Sequence, residues 1–364
     1  MALQAGIVGL PNVGKSTLFN CLSNAQAQSA NFPFCTIEPN VGTITVPDER
    51  LWKLEDLVKP QKLLPTTIEI VDIAGLVKGA SKGEGLGNQF LGNIRNTNAI
   101  IHVVRCFDDP NVVHVDGSVD PVRDKEIIDT ELQLKDLESL ESRLQKAQKA
   151  AKSLDKAAMK GVEVIQKAIA HLQEGSSIRN LEVQDDEAEI LDSMQLITSK
   201  PVMYVCNVDE ASVISGNDHT KRFIEEVKSE DAEILFISAA IEAEIATMER
   251  DDQLMFLEEM GLEVSGVGRL IKSAYKLLNY ITYFTAGEKE VRAWTITDGM
   301  KAPQAAGVIH TDFEKGFIRA EVISYTDFVE NGSEAACREV GKLRVEGKEY
   351  LVKDGDIMHF RFNV

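Results

Sequence analysis

The chain is organised around one stretch, Gly9-Leu10-Pro11-Asn12-Val13-Gly14-Lys15-Ser16-Thr17. It reads G-x-x-x-x-G-K-S, an apolar run at 5–8 precedes it, and 17–22 reads as the first turns of a helix. A strand, a glycine loop and a helix start in this order are typical of a phosphate-binding loop. The glycines let backbone N–H groups turn toward a triphosphate, and the helix N-terminus adds partial positive charge. The alternative, a glycine turn that matches by chance, is disfavoured by both flanks.

The spacing within this loop predicts a role for each polar side chain. Lys15 would reach the β- and γ-phosphates, and the Ser16 hydroxyl would ligate Mg²⁺. Lys15 is also a catalytic candidate, because it lies where charge develops on the transferred phosphoryl group. We expect the nucleotide to be contacted by the whole run of Asn12, Val13, Gly14, Lys15, Ser16 and Thr17.

A second motif follows about fifty residues later. The β-branched stretch 66–71 predicts a strand, and it ends in Asp72-Ile73-Ala74-Gly75, a D-x-x-G. At a strand tip beside a phosphate loop, Asp72 would hold Mg²⁺ through water, and the Gly75 N–H would sense the γ-phosphate. The motif is common by itself, and its position after the G-K-S makes it specific.

Two loops are candidate switches. The segment 28–40 has two prolines and no helical period, and its Thr36 could bring a hydroxyl to Mg²⁺ when a triphosphate is bound. A plain surface loop is the alternative for this segment. The second candidate is 77–88, whose four glycines predict mobility.

The residue after Gly75 is Leu76, where Ras-like GTPases usually place the glutamine that orients the attacking water. Leucine cannot hydrogen-bond water, so either hydrolysis is slow or another group positions the water. His114, in the loop 107–124, is a candidate catalytic residue for that role, because a mobile loop can deliver an imidazole when nucleotide binds. A solvated loop histidine is the alternative.

The base-recognition segment departs from the GTPase pattern. The strand 200–206 is followed by Asn207-Val208-Asp209-Glu210, where GTPases carry N-K-x-D. The extra methylene of Glu210 misplaces its carboxylate for a two-bond grip on guanine, which favours loss of guanine preference. We expect Asn207 and Val208 to bind the nucleotide, together with Ser238 at the end of the strand 234–240.

The alternation of strands and helices predicts a doubly wound α/β sheet, the P-loop NTPase fold, with nucleotide at the carboxyl ends of its strands. This domain spans 1–280 and ends with a helix at 266–280. The remainder, 281–364, predicts an α+β module that resembles a binding module more than a catalytic one. Its predicted strands are 281–287, 290–296, 317–323, 348–352 and 358–362, and its predicted helices are 302–307 and 333–340.

A helical insertion at about 126–198 interrupts the first domain. From Thr130, apolar residues such as Leu137, Leu140 and Leu144 recur at alternating steps of three and four, which predicts an antiparallel coiled-coil hairpin. A third helix is expected near 187–198. Six basic side chains follow its helices: Arg143, Lys146, Lys149, Lys152, Lys156 and Lys160. They indicate either a solvated helix exterior or an RNA-phosphate contact.

Bulk composition limits the partners. The formal net charge is −19, so DNA is not an expected partner and any RNA contact requires a local basic patch. No apolar run approaches membrane-spanning length, and we expect no membrane partner. Five cysteines without a C-x-x-C favour reduced thiols in a cytoplasmic protein.

Over its whole length the sequence resembles the YchF or Obg-like ATPases, in the Obg branch of P-loop NTPases. The resemblance is carried by G-L-P-N-V-G-K-S-T at 9–17, N-F-P-F-C-T-I-E-P-N at 31–40, D-I-A-G-L-V at 72–77 and N-V-D-E at 207–210. The C-terminal module resembles a TGS domain. The hairpin at about 130–175 resembles the helical insertion of the family.

The resemblance implies ATP hydrolysis in preference to GTP, with Ser16 and Thr36 as Mg²⁺ ligands and His114 as a catalytic group. It also implies association with the ribosome, through its large subunit and the 70S-type particle or through ribosomal RNA. Asn12 resembles the phosphate-loop asparagine of cation-dependent relatives, which suggests K⁺ as a further cofactor. Two alternatives remain: a nucleotide-gated RNA- or protein-binding scaffold with little need for hydrolysis, and a conventional translational GTPase.

Overall fold

The computed structural model describes residues 4–28, 41–73, 86–151 and 156–363. The predictions for Thr36, Gly75 and Leu76, and for nearly all of the glycine-rich segment 77–88, lie outside these residues. The described chain divides into two compact units. The first contains the described residues of 1–24, 37–42 and 70–269, and the second those of 25–36, 43–69 and 270–364. The predicted boundary between 280 and 281 stays a prediction, although 43–69 group with the C-terminal unit.

The strands, in chain order, are β1 (Gln4–Val8), β2 (Val41–Thr45), β3 (Leu63–Leu64), β4 (Thr67–Asp72), β5 (Ala99–Arg105), β6 (Val202–Asn207), β7 (Ile234–Ile237), β8 (Tyr280–Ala286), β9 (Val291–Thr297), β10 (Phe317–Ser324), β11 (Arg344–Glu346) and β12 (Asp356–Phe362). The helices are α1 (Lys15–Gln28), α2 (Glu49–Val58), α3 (Leu86–Asn96), α4 (Pro121–Ala151), α5 (Lys156–Gln173), α6 (Asp185–Met194), α7 (Asp218–Val227), α8 (Ala239–Ile245), α9 (Arg250–Glu259), α10 (Gly266–Leu277), α11 (Ala302–Ile309), α12 (Thr311–Lys315), α13 (Tyr325–Asn331) and α14 (Glu334–Glu339).

A six-stranded sheet with the order β2-β4-β1-β5-β6-β7 organises the nucleotide-binding half. The pairs β1–β5, β5–β6 and β6–β7 are parallel. Every residue of β5 and β6 is buried, as expected for parallel strands covered on both sides. The sheet confirms the predicted α/β P-loop fold, and its carboxyl ends bring the loops after β1, β5, β6 and β7 to one edge.

The helical insertion is an antiparallel hairpin of α4 and α5, with α6 packed in the same core. Leu140, which the three- and four-residue spacing of apolar residues predicted to lie on the packed face, is fully buried there. The Asp136 carboxylate ties α4 to the chain after α6, because it accepts the N–H groups of Ile197 at 2.9 Å and Thr198 at 2.7 Å. The predicted start of the first helix, at Thr130, lies too far along the chain.

Helix α4 begins at Pro121, nine residues before the predicted onset. Proline is favoured in the first turn of a helix, where its missing N–H needs no partner. Asp120 precedes it and its Oδ1 accepts the N–H of Arg123 at 3.3 Å, which caps the helix start. The D-P pair therefore starts a helix, although it was predicted to lie in the loop 107–124.

The second unit holds a six-stranded sheet with the order β11-β10-β12-β8-β9-β3. Adjacent residues of its strands enter two different cores, as Tyr283 and Phe284 of β8 do. One core includes alanines of α11, and the other includes Leu51 and Leu54 of α2. Strand β3 adds to the sheet in parallel with β9.

One predicted strand of this unit was wrong. Residues 348–350 form no strand, and Leu351 makes only an isolated bridge with Lys301. The strand is instead β11, which pairs antiparallel with β10. It is short, charged and exposed at an edge, so it lacks the apolar alternation by which strands are found in sequences. Helix α13 was missed as well.

Candidate functional site

The loop between β1 and α1 has the backbone of a phosphate cradle. Asn12 has a φ of 63° and Gly14 a φ of 94°, which turn the chain sharply before Lys15 opens the helix. The close approach of the loop to β5 requires Gly9, because a Cβ there would lie 2.6 Å from the carbonyl oxygen of Val103. The G-x-x-x-x-G-K-S prediction therefore lies on the strand, turn and helix start that its chemistry requires.

Lys15 and Asp72 meet at this loop. Asp72 is the last residue of β4, and its Oδ1 lies 3.3 Å from the Lys15 Nζ. Both side chains are largely buried, with 8% and 15% of their surface exposed. Ser16 follows in the first turn of α1 and is exposed. A hydroxyl and a carboxylate are hard oxygen donors of the kind that Mg²⁺ prefers, so this donor set fits a magnesium–triphosphate group.

Asn207 fastens the phosphate loop to the loop after β7. Its Nδ2 donates to the carbonyl oxygen of Val13 at 2.9 Å, and its Oδ1 accepts the N–H of Ala239 at 3.0 Å. The amide is 3% exposed, and a Cβ on Gly14 would lie 2.2 Å from its Nδ2. Asn207 thus fixes two of the loops that surround the cavity described next.

A cavity of about 830 Å³ opens beside the phosphate loop. Six residues that the sequence predicted as nucleotide-binding contribute to its lining: Asn12, Gly14, Thr17, Asn207, Val208 and Ser238. Val208 is 2% exposed, and its N–H donates to the carbonyl oxygen of Ile237 at 2.9 Å. Ser238 caps α8, because its Oγ accepts the N–H of Ile241 at 3.4 Å. Glu210 also lines the cavity and is exposed.

One wall of this cavity, the segment 107–112 that follows β5, was not predicted from the sequence. Phe107, Asp108, Asp109, Pro110 and Val112 all line it. The available signal was positional: β5 neighbours β1 in a parallel sheet, so the loop after β5 emerges beside the phosphate loop. The Asn12 Nδ2 also donates to the carbonyl oxygen of Val113 at 3.1 Å, a long-range contact that no motif predicts.

His114 is neither solvated nor part of the cavity lining. Its Nε2 lies 2.7 Å from the Asp124 Oδ2, and its Nδ1 accepts the N–H of Asp116 at 3.1 Å. Because Nδ1 accepts, Nε2 carries the proton and donates it to the carboxylate. The residue is 7% exposed. Its catalytic role stays a prediction, and in this structure both ring nitrogens are occupied.

The basic side chains of the hairpin differ in their surroundings. Lys146, Lys149 and Lys156 are exposed, and Lys152 lies outside the described residues. Lys160 forms an ion pair with Asp186. Arg143, through its Nη2, donates to the carbonyl oxygen of Met194 at 3.0 Å and so belongs to the packing of the hairpin. The exposed lysines are the part of this set available to a partner.

The parallel sheet, the glycine loop that opens α1 and the Lys15–Asp72 pair define a P-loop nucleoside-triphosphate hydrolase. The family described as "50S ribosome-binding GTPase" matches residues 4–146. A second family, described as "YchF-GTPase_C: Protein of unknown function (DUF933)", matches residues 280–363.

The chain belongs to the YchF family. It is 53% identical over 366 residues to "Ribosome-binding ATPase YchF" of Bacillus subtilis, with all of both chains covered. It is equally identical over 364 residues, with the same coverage, to the protein of that name from Escherichia coli O157:H7. A solved structure, described as that of the Schizosaccharomyces pombe YchF GTPase, is 40% identical and superimposes with a TM-score of 0.90. That match covers 99% of this chain and 97% of the other.

Proposed function

We propose that this protein is a Mg²⁺-dependent ATPase that binds the ribosome and acts as a nucleotide-controlled switch. The observation that carries the proposal is the cavity of 830 Å³, which joins the phosphate loop to Val208 and Glu210. Val208 stands where GTPases carry the lysine that packs on the base. Glu210 stands where they carry the aspartate that reads guanine, and its carboxylate is displaced by one methylene. The bacterial relatives are named as ribosome-binding ATPases, which supports the same assignment.

The residues divide the chemistry between them. Lys15 neutralises charge on the β- and γ-phosphates, and the N–H groups of the phosphate loop hold their oxygens. Ser16 and Asp72 would hold Mg²⁺, which supplies charge neutralisation between the phosphates when bound. Thr36 and Gly75, outside the described residues, would complete the set around the γ-phosphate. The Lys15–Asp72 ion pair keeps both side chains in place before nucleotide arrives.

Turnover of the isolated protein should be slow. Leu76 offers no hydrogen bond to water, and His114 must first leave Asp124 and the Asp116 N–H before it can reach any substrate. Breaking these two hydrogen bonds, of which the one to the carboxylate is buried, costs about 2–4 kcal/mol. A ribosome that stabilises the released loop would lower that cost and accelerate hydrolysis.

The role of His114 is tested by the substitution His114→Ala, assayed with and without ribosomes. We expect a large loss of the ribosome-stimulated rate and unchanged ATP affinity, because His114 does not line the cavity. An unchanged stimulated rate would remove His114 from the mechanism.

The ribosome contact is proposed at the exposed lysines of the hairpin, in the cytoplasm. Lys146 and Lys149 lie near the C-terminal end of α4, and they offer positive charge to RNA phosphates in a chain of net charge −19. Replacing Lys146, Lys149 and Lys152 by glutamate should weaken binding to the 70S-type particle and reduce its salt dependence. An unchanged salt slope would show that these lysines are ordinary solvated surface and that the contact lies elsewhere.

The first experiment on function is calorimetric titration of ATP and GTP analogues side by side with Mg²⁺. We expect the wild type to bind the ATP analogue more tightly than the GTP analogue. We expect the variant Lys15→Ala to bind neither. Tighter GTP binding would favour the second candidate, a conventional GTPase, as the yeast relative is described.

Equal turnover in Na⁺ and K⁺ would exclude a K⁺ requirement through Asn12. Full cellular function of a variant that binds but does not hydrolyse ATP would favour the scaffold over the switch.

A further inference from the structure

Arg105, the last residue of β5, is a buried cation without a carboxylate partner among the described residues. It is 1% exposed. Its Nε donates to the carbonyl oxygen of Phe107 at 3.1 Å, its Nη1 to that of Val112 at 2.9 Å, and its Nη2 to that of Asp109 at 3.2 Å. A buried charge is costly unless hydrogen bonds satisfy it, and here main-chain carbonyls supply those bonds.

The three carbonyls belong to a single loop, so Arg105 determines the shape of that loop. A guanidinium presents its donors in one rigid plane and binds acceptors only at fixed directions. The Phe107 ring lies against the same group, with its centroid 4.5 Å from the guanidinium carbon. Inside the loop, the Asp109 carboxylate accepts the N–H of Asn111 at 2.8 Å. The segment 107–112 is therefore folded around Arg105.

The same segment is the cavity wall that the sequence did not reveal. Five of its residues line the same cavity as Val208 and Glu210, at the segment where GTPases read the base. The phosphate loop contributes Asn12, Gly14 and Thr17 to the lining, whereas Lys15 and Asp72 lie outside it. A nucleotide whose phosphates lie on the phosphate loop would therefore meet the 107–112 wall with its nucleoside half.

We propose that Arg105 is a positioning residue that pre-forms the nucleoside-binding wall of the cavity without touching the nucleotide. The inference rests on the proposed function, since it takes the cavity as the nucleotide site. It separates the cavity into two parts: the phosphate loop binds the triphosphate independently of Arg105, and the affinity for the nucleoside depends on it.

The test compares ATP with inorganic tripolyphosphate, each with Mg²⁺, by calorimetry on the full-length protein. The substitution Arg105→Lys retains the charge and loses the planar set of donors. We expect ATP to bind roughly tenfold more weakly to this variant, as loss of one or two such bonds predicts, and tripolyphosphate to bind as in the wild type. The matched control is Arg179→Lys, because the Arg179 Nη1 also donates to main-chain carbonyls, of Thr198 and Lys200 at 3.3 Å, away from the cavity. The control should bind both ligands as the wild type does.

The outcomes separate the two proposals. Equal weakening of ATP and tripolyphosphate, or no change in either, would overturn the role of Arg105. If the wild-type protein binds ATP no more tightly than it binds tripolyphosphate, the proposed function is overturned instead.

If Arg105→Lys does not fold, hydrogen exchange of the wild type decides. The amides of Asn111 and Val112 should be protected before nucleotide is added. Exchange at the rate of an open loop, with protection only after ATP binds, would show that the nucleotide and not Arg105 forms the wall.

Discussion

Replacing Asn207 by alanine should loosen the phosphate loop and destabilise the nucleotide-binding unit. The substitution removes both hydrogen bonds of the side chain, at 2.9 Å to the Val13 carbonyl and at 3.0 Å from the Ala239 N–H. It also leaves these two backbone groups, which the protein buries, without their partner. The same amide packs against Gly14, so the phosphate loop loses its support on that side.

The magnitude follows from the two orphaned groups. Leaving a buried donor or acceptor unsatisfied costs about 1–3 kcal/mol. The adjoining cavity admits water to the vacated position, which favours the lower half of that range for each group. We therefore expect Asn207→Ala to lower the free energy of unfolding by about 2–4 kcal/mol. Asn207→Asp keeps the acceptor for the Ala239 N–H and places an oxygen against the Val13 carbonyl, so it should release the phosphate loop alone.

Urea unfolding followed by far-UV circular dichroism measures the effect. Both tryptophans, Trp52 and Trp294, lie in the second unit, so their fluorescence reports that unit separately. The control is Asn331→Ala, which removes one bond of 2.8 Å to the Asp327 carbonyl and should cost about 1 kcal/mol. If Asn207→Ala costs no more than this control and ATP affinity is unchanged, the fastening role assigned to Asn207 is wrong.

Three further predictions test other parts of the chain. Burial lowers the pKa of His102 from 6.5 to about 4, so the unfolded chain binds a proton between these pH values and the folded chain does not. Stability should therefore fall by about 3 kcal/mol as the pH drops through this window, and His102→Leu should remove that part of the slope in acid unfolding curves. Glu210→Asp should raise the GTP-to-ATP affinity ratio roughly tenfold in competition binding, and an unchanged ratio would mean that the base is read elsewhere. Leu54→Ala empties a fully buried position of the second unit and should cost about 3 kcal/mol by tryptophan fluorescence, whereas Leu351→Ala, at an exposed position of the same unit, should cost less than about 1 kcal/mol.

Local patterns sufficed for the phosphate loop and for much of the sheet. The strand predicted at 200–206 is found as β6 (Val202–Asn207), because a fully buried parallel strand is a mostly apolar run. Asp72 was predicted at a strand end beside the loop, and it lies at Lys15. These features depend on neighbours in sequence or on the general geometry of parallel sheets, and both can be read from the residues.

The features that the sequence did not reveal depend on contacts between distant residues. Asn207 was predicted to bind nucleotide, but its bonds to Val13 and Ala239 arise only when three strands align. Arg105 belongs to none of the sequence motifs, and its hydrogen bonds depend on the path of the loop after it. The burial of His114 depends on Asp124, which was predicted to lie in a loop and is found in the first turn of α4.

Helix α2 has a consequence for the timing of folding. Its Leu51 and Leu54 are buried with Phe284, about 230 residues later in the chain. At a synthesis rate of about 5–20 residues per second, this helix waits on the order of 10–50 seconds for the strands that cover it. Its apolar stripe stays open throughout that interval, and the second unit can close only as the last residues are made. An early stop codon in the C-terminal region would therefore leave an N-terminal product with a permanently uncovered helix, exposed to aggregation and proteolysis.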